Sequence, residues 1–314
     1  MKHGVLLMTY GSATTAADVP QYLASVYRGR TPSPEVVAEF ERRYNLIGRS
    51  PLVEITLRQA ELLQARLNQT QGEEWVVRAG MQHLLPSIDS AAAELADARC
   101  DDVLGLVLAP QFSAEIMGGY VHAFDAAMAA HLPSARATLV RSWSRSEPFL
   151  GLLARLVQEA LARIPELAET VPILFTAHSL PRSVVERDPA YVEELKWTAS
   201  ELARRLLLPS ARWQFAYQSA GHTPEEWLTP DFKDLMPEMA RRGLRDVLVV
   251  PLQFLSDHLE ILYDIDIAAG EEASAAGMRM HRIELPNVRA DFITCLARVV
   301  SDSVATPAHL SART

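Results

Sequence analysis

Cysteine is scarce. Only Cys100 and Cys295 occur in 314 residues, far apart and at no metal-ligand spacing. That excludes a disulfide framework and a Cys-ligated zinc or iron–sulfur site, and it fits a cytoplasmic location. Long apolar runs are missing too. The opening MKHGVLLMTYGS carries one Lys and a short apolar run that meets Thr9 and Tyr10, too short for a signal-peptide core or a membrane span. It reads instead as a first β-strand. Positive charge is in deficit, with 30 Lys and Arg against 39 Asp and Glu and a net charge of −9. Nucleic acid and anionic membrane surfaces are therefore excluded as general partners, and an anionic ligand must be met by a local basic cluster. Neither G-x-x-x-x-G-K-[ST] nor G-x-G-x-x-G occurs, which removes the two common phosphate cradles, and H-E-x-x-H and G-x-S-x-G are absent as well.

What is present is the balance of a globular chain long enough for two domains: 49% hydrophobic and 22% charged residues. Short β-branched or Leu-rich runs begin at Gly4, Trp75, Val103, Ala137, Pro172, Trp213 and Val247. Between them lie stretches of helical period such as EITLRQAELLQARLNQ and FLGLLARLVQEALARI. The alternation predicts an α/β fold of parallel sheets flanked by helices. DVLGLVLAPQFSAEI from Asp102 echoes DVLVVPLQFLSDHLEI from Asp246, and the strand ending at Tyr10 has a counterpart ending at His178. The echo points to two Rossmann-like domains, 1–150 and 151–314, meeting near residues 145 to 170. The alternative is that any two buried parallel strands look alike. The tail SVATPAHLSART has no strong period and reads as frayed.

In open parallel sheets, ligands bind beyond the carboxyl ends of the strands. Four strands deliver polar or aromatic residues there: Tyr10; Gln111 and Ser113; His178; and Ser256, Asp257, His258 and Glu260. His178 either closes a strand beside a helix cap formed by Ser179 and Pro181, or presents an imidazole that accepts a proton or binds a divalent metal. Asp257 and Glu260 fit a capping-box variant. Together with Asp264 they equally form an acidic stripe on the first turns of a helix, on which a divalent cation could travel. His258 points elsewhere and reads as structural. The adjacency of His178 and Ser179 is not a triad, so a hydrolase is only a weak alternative.

Over nearly its whole length the sequence resembles a ferrochelatase. AHSLP at Ala177, YQSAGHTPEEWLTPD from Tyr217, FLSDHLEILYDID from Phe254 and the upstream RYNLIGRSPL, in this order, carry the resemblance. It implies two chelatase-type domains with four-stranded parallel sheets and a porphyrin cleft between them. The first domain would bear most porphyrin contacts and the second the metal-insertion residues, with the terminal helix packing back on the first. It also implies insertion of Fe2+, as substrate, into a porphyrin in haem biosynthesis, with no cofactor and no iron–sulfur cluster. His178 and Glu260 are then the catalytic and metal-binding pair.

Tyr10, in MTYGS, matches the position where monoderm-type coproporphyrin III enzymes place a tyrosine axial to the haem iron. Arg28, Arg43, Tyr44, Ser50 and Tyr120 match substrate-binding positions, whereas Arg30, Arg42 and Arg49 read as solvated helix-face residues. Three departures stand out. Tyr27 and Arg28 replace paired arginines, IGRSPL is one residue shorter than the related IGGxSPL, and Ala268 interrupts the extended acidic stripe of relatives. Alternatives are a protoporphyrin IX ferrochelatase, a cobalt or nickel chelatase for sirohydrochlorin, and a non-catalytic tetrapyrrole carrier or sensor. The small sirohydrochlorin chelatases usually carry a second histidine where this chain has Glu260. The expected partners are porphyrin, ferrous iron and the haem-pathway enzymes before and after, and the chain is expected to be a monomer with no integral membrane segment and no nucleic-acid partner.

Overall fold

A computed structural model describes residues 1–70, 72–221 and 225–305. The tail from 306 onward and residues 222–224 of the YQSAGHTPEEWLTPD match lie outside the described residues. Strands β1 (Lys2–Thr9), β2 (Glu74–Met81), β3 (Asp102–Val107) and β4 (Arg136–Val140) form one sheet in the order β2-β1-β3-β4. Strands β5 (Ile173–His178), β6 (Trp213–Gln218), β7 (Asp246–Pro251) and β8 (Arg279–Arg282) repeat it as β6-β5-β7-β8. Every pairing is parallel. The central strands are buried on both faces, so they carry continuous apolar runs: Val5, Leu6, Leu7 and Met8 of β1 are all 0% exposed.

The first half adds α1 (Val19–Val26), α2 (Pro34–Ile47), α3 (Leu52–Thr70), α4 (Ile88–Asp97), α5 (Ala114–His131) and α6 (Glu147–Ala162). The second adds α7 (Arg182–Arg187), α8 (Ala190–Arg205), α9 (Phe232–Arg241), a π-helix (Glu260–Ala269) continued by α10 (Gly270–Ala275), and α11 (Ala290–Ala305). Side-chain caps fix several starts: Ser33 accepts from the Val36 N–H ahead of Pro34, and Ser87, Ser113 and Asp231 do the same for α4, α5 and α9.

The two halves do not keep separate cores. The largest apolar cluster runs from Val5, Leu7 and Leu104, through Phe149 and Leu153 of α6, to Phe175 and Leu248, and takes in Phe292 and Leu296 of α11. Helix α11 packs on both α3 and α6. The strand β8 has no apolar run in the sequence. RMHR is a four-residue edge strand with no buried position, held by backbone pairing to β7 rather than by side-chain burial.

Candidate active site

In a sheet ordered 2-1-3-4 the crossovers leave in opposite directions from the strand-1 and strand-3 edges, which opens a crevice above their carboxyl ends. Tyr10 follows β1 there, and His178 ends β5 at the same point of the second sheet.

The His178 side chain is 27% exposed. Its Nδ1 lies against the carbonyl oxygen of Ser179. A carbonyl can only accept, so Nδ1 carries the hydrogen, and the nitrogen at which the ring gains or loses a proton is Nε2. That Nε2 stands 3.6 Å from Glu260 Oε2. Two acceptors facing at this distance repel unless a proton or a cation joins them, so the pair is poised for either.

Glu260 opens the π-helix. The expected capping box is corrected by the structure: the helix is preceded by Leu259 and has no side-chain cap. Asp257 instead accepts from Asn287 Nδ2 at 2.8 Å and lies 3.6 Å from Arg282. The acidic stripe therefore reduces to Glu260 and Asp264. His258 is structural, its Nδ1 accepting the Glu260 backbone N–H at 3.1 Å, and burial pushes its pKa down. Among the described residues, no group of three His, Cys, Asp or Glu converges as a metal cage.

Across the crevice, Tyr10 is 42% exposed and meets the edge of His83 at 4.6 Å between ring centroids. Partial burial raises its pKa, the charge of Glu260 adds to this, and Arg28 opposes it. Glu260 and Arg28 thus act on the same phenol from opposite signs. Arg28 is exposed and holds a left-handed backbone, with φ of 51°. Tyr120 on α5 is 5% exposed, and burial with the neighbouring Tyr10 drives its pKa up.

Tyr44 and Ser50 are 1% and 2% exposed and point inward. Ser12 Oγ joins them, 2.8 Å from the Tyr44 hydroxyl and 2.9 Å from Ser50 Oγ. Burial pushes the Tyr44 phenol up to about 12. Arg43 is engaged by Glu39 at 2.7 Å and by Asp264 at 3.6 Å, and it lies over the Tyr263 ring. Arg42 and Arg49 pair with Glu39 and Glu54 on exposed surfaces. A sequence reading misses Ser12, His83, Tyr191 and Gln253. The signal for Gln253 was its place two residues past Pro251, in the loop that leads to Glu260.

A groove of 810 Å³ lies elsewhere, between α9 and α10. Among the described residues no helix is long and apolar enough to cross a membrane.

Twin four-stranded parallel sheets flanked by helices recur in chelatases of known structure. SirB from Bacillus subtilis with Fe3+ superposes with a TM-score of 0.60 at 12% identity, over 98% of this chain and 97% of that one. CbiX, described as the terminal enzyme for siroheme biosynthesis in denitrifying bacteria, gives 0.56 at 15% identity, over 96% of this chain and 99% of its own. At such identities the likeness speaks for the fold alone. The ferrochelatase family model matches residues 2–304. A ferrochelatase of Herpetosiphon aurantiacus is 38% identical over 302 residues, 96% of this chain and 98% of the relative. The coproporphyrin III ferrochelatase of Anoxybacillus flavithermus is 35% identical over 301 residues, 95% of each chain. The chain belongs to the ferrochelatase family. It is accordingly a metal–porphyrin chelatase, with a porphyrin and iron as substrates.

Proposed function

We propose that the enzyme inserts Fe2+ into coproporphyrin III, with His178 and Glu260 as the insertion pair. The observation that carries the reading is the Nε2 of His178, 3.6 Å from a Glu260 carboxylate oxygen. Insertion removes two pyrrole N–H protons from the ring as the metal sheds its water. A neutral imidazole takes one proton at Nε2, and the adjacent carboxylate takes a second or steadies the incoming cation. Binding energy along the rest of the macrocycle bends the ring so that a pyrrole lone pair faces the metal. No resident cofactor enters this scheme.

Tyr10 stands on the opposite wall as the axial oxygen for the product iron. Arg28 is the exposed group available to the ring, and the buried Ser12–Tyr44–Ser50 cluster and Tyr120 support the wall behind it, so binding falls to residues 1–150 and insertion to 151–314. Coproporphyrin carries four propionates, and Arg28 is the cation best placed for one, since it faces Tyr10 and has an exposed side chain. The Anoxybacillus flavithermus relative supports this substrate by its name. One observation favours protoporphyrin IX instead: Arg43, matched to a substrate position, is already held by Glu39 and Asp264.

Turnover of coproporphyrin III, protoporphyrin IX and sirohydrochlorin side by side tests the reading. It is expected to favour coproporphyrin by at least about tenfold in kcat/KM, roughly the value of one charge-assisted contact. Equal or better use of protoporphyrin overturns the substrate, and porphyrin binding without insertion of iron into any of the three overturns catalysis. We further place the enzyme in the cytoplasm as a monomer, handing its product to the next enzyme of haem synthesis.

A further inference from the structure

We infer that Gln253 and Tyr191 are positioning residues for His178, completing with side chains a β-ladder that the backbone leaves unfinished. The inference rests on His178 being an insertion residue. In a parallel sheet, alternate residues of a strand turn their N–H and C=O to alternate neighbours. Thr176 faces β7, its carbonyl accepting the Leu252 N–H at 2.8 Å, and Ser179 faces β6, donating to the Gln218 carbonyl at 2.7 Å. His178 therefore turns both main-chain groups toward β7. The ladder partner there would be the Leu252 carbonyl, but that carbonyl accepts from Gln111 Nε2 at 3.3 Å.

The gap is filled by side chains. Gln253 Oε1 accepts the His178 N–H at 2.7 Å. The Tyr191 hydroxyl lies 2.9 Å from the same Oε1 and 3.1 Å from the His178 carbonyl. Tyr191 comes from α8 and is 2% exposed, so its phenol is a rigid post. Both peptide groups flanking the His178 Cα are thereby held, and with them the direction of Cβ, which carries the ring to the Ser179 carbonyl that sets its tautomer. The first sheet supplies a control within the same molecule. The Leu108 N–H reaches the Met8 carbonyl at 2.8 Å, as Leu252 reaches Thr176. Tyr10 thus corresponds in count to His178 and Ala109 to Gln253; the Tyr10 carbonyl turns the other way, accepting the His83 N–H at 2.9 Å beyond β2, and Ala109 has no side-chain acceptor. The extra acceptor belongs to the imidazole half alone.

The test uses the full-length enzyme. Gln253→Leu keeps the bulk and removes the acceptor. It is expected to lower kcat for iron insertion about tenfold, as a small misplacement of a reacting group does, while KM for the porphyrin stays within about twofold. Gln253→Glu restores an oxygen acceptor at the same reach and is expected to recover most of kcat. Tyr191→Phe should give a smaller loss, and the double variant a loss smaller than the product of the two, because the side chains share the contact at Gln253 Oε1. Imidazole 15N shifts of His178 report the tautomer independently of turnover: Nδ1–H in the parent and in Gln253→Glu, a mixture in Gln253→Leu.

Unchanged kcat and tautomer in Gln253→Leu, or failure of Gln253→Glu to recover either, overturns the inference. Should Gln253→Leu not fold, Tyr191→Phe carries the same comparison. His178→Ala separates the two levels: if it still inserts iron, the reading of His178 fails, whereas a dead His178→Ala beside an unaffected Gln253→Leu sinks only the positioning role.

Discussion

In the first sheet Leu108 donates to the Met8 carbonyl and in the second Leu252 donates to that of Thr176, each at 2.8 Å. The two halves share more than strand order. Asp102 at the foot of β3 pairs with Arg136 of β4 at 2.7 Å and lies 3.3 Å from His3. Asp246 at the foot of β7 pairs with Arg279 of β8 and with His281, each at 2.9 Å. At the amino ends of the strands, then, the repeat keeps the same chemistry: a nearly buried carboxylate, an edge-strand arginine and a histidine. At the carboxyl ends it diverges, with a phenol on one rung and an imidazole on the equivalent rung. The feet of the strands are under one constraint, closing the sheet edge, so they stay alike. The tops carry no such shared constraint, and on the proposed reading each half would serve one side of a flat ligand.

The division of labour is broken most sharply at His178. His178→Ala is expected to lower iron insertion by about 10²-fold or more, with the porphyrin Soret shift on binding retained. Near-normal insertion would mean the second half does not carry the chemistry. The shared feet give the next effect. Asp246→Asn and Asp102→Asn should each cost about 1 kcal/mol in denaturant unfolding at pH 7, because a nearly buried carboxylate loses its charge-assisted bonds to largely exposed arginines. Burial raises the Asp246 pKa, but the bonds from His281 and Arg279 outweigh it and the net shift is downward. Its stabilising effect is therefore present above the unfolded carboxyl value of 3.8 and lost as pH falls below it. The cost of Asp246→Asn should shrink below pH 4. A large cost at one foot and none at the other would end the equivalence. Smaller still is Tyr10→Phe, which should speed release of the metallated product about threefold while leaving porphyrin affinity and kcat nearly unchanged. An unchanged off-rate would remove the axial role of the phenol.

The order of the strands in the sheets was not legible, whereas seven of the eight strands were, as apolar runs separated by helical periods. The eighth was not, because RMHR lies at an edge and buries nothing. His178 stood out as a histidine at a strand end, but spacing alone could not separate a catalyst from a neighbour of a cap. The resemblance raised that question to a definite expectation, and the tautomer set by the Ser179 carbonyl supplied the physical content. Asp257 was misread because its partner, Asn287, lies 30 residues away, beyond any local pattern. Ser12 and Tyr191 were invisible for the same reason: each acts only through a neighbour brought by the fold. Tyr44 and Ser50 were read as substrate-binding, and the inward turn of their hydroxyls onto Ser12 was not legible.

The smallest effect tests whether the two halves are held together at the lip or by their shared core. Arg43, on α2 of the first half, reaches Glu39 on its own helix and Asp264 on the π-helix of the second. Glu39 is held at about 2 by the arginines, so it is ionised at pH 5 and at pH 7 alike. Asp264 is pushed up to about 6 by burial and by the charge of Glu260, against the opposing pull of Ser219 and Arg43. Its folded pKa exceeds the unfolded one, so the associated stability is complete below about pH 4 and lost as pH rises through 6. Arg43→Met should therefore lose the Glu39 contact equally at both pH values but the Asp264 contact chiefly at pH 7. The loss of stability in denaturant should be greater at pH 7 than at pH 5 by about half a kcal/mol, the size expected of one partly solvated pair. Because α6 and α11 carry the common core, the variant should stay folded with a single unfolding transition. Equal losses at the two pH values would show that Asp264 does not depend on Arg43. A split transition would show that the lip, rather than the core, joins the halves.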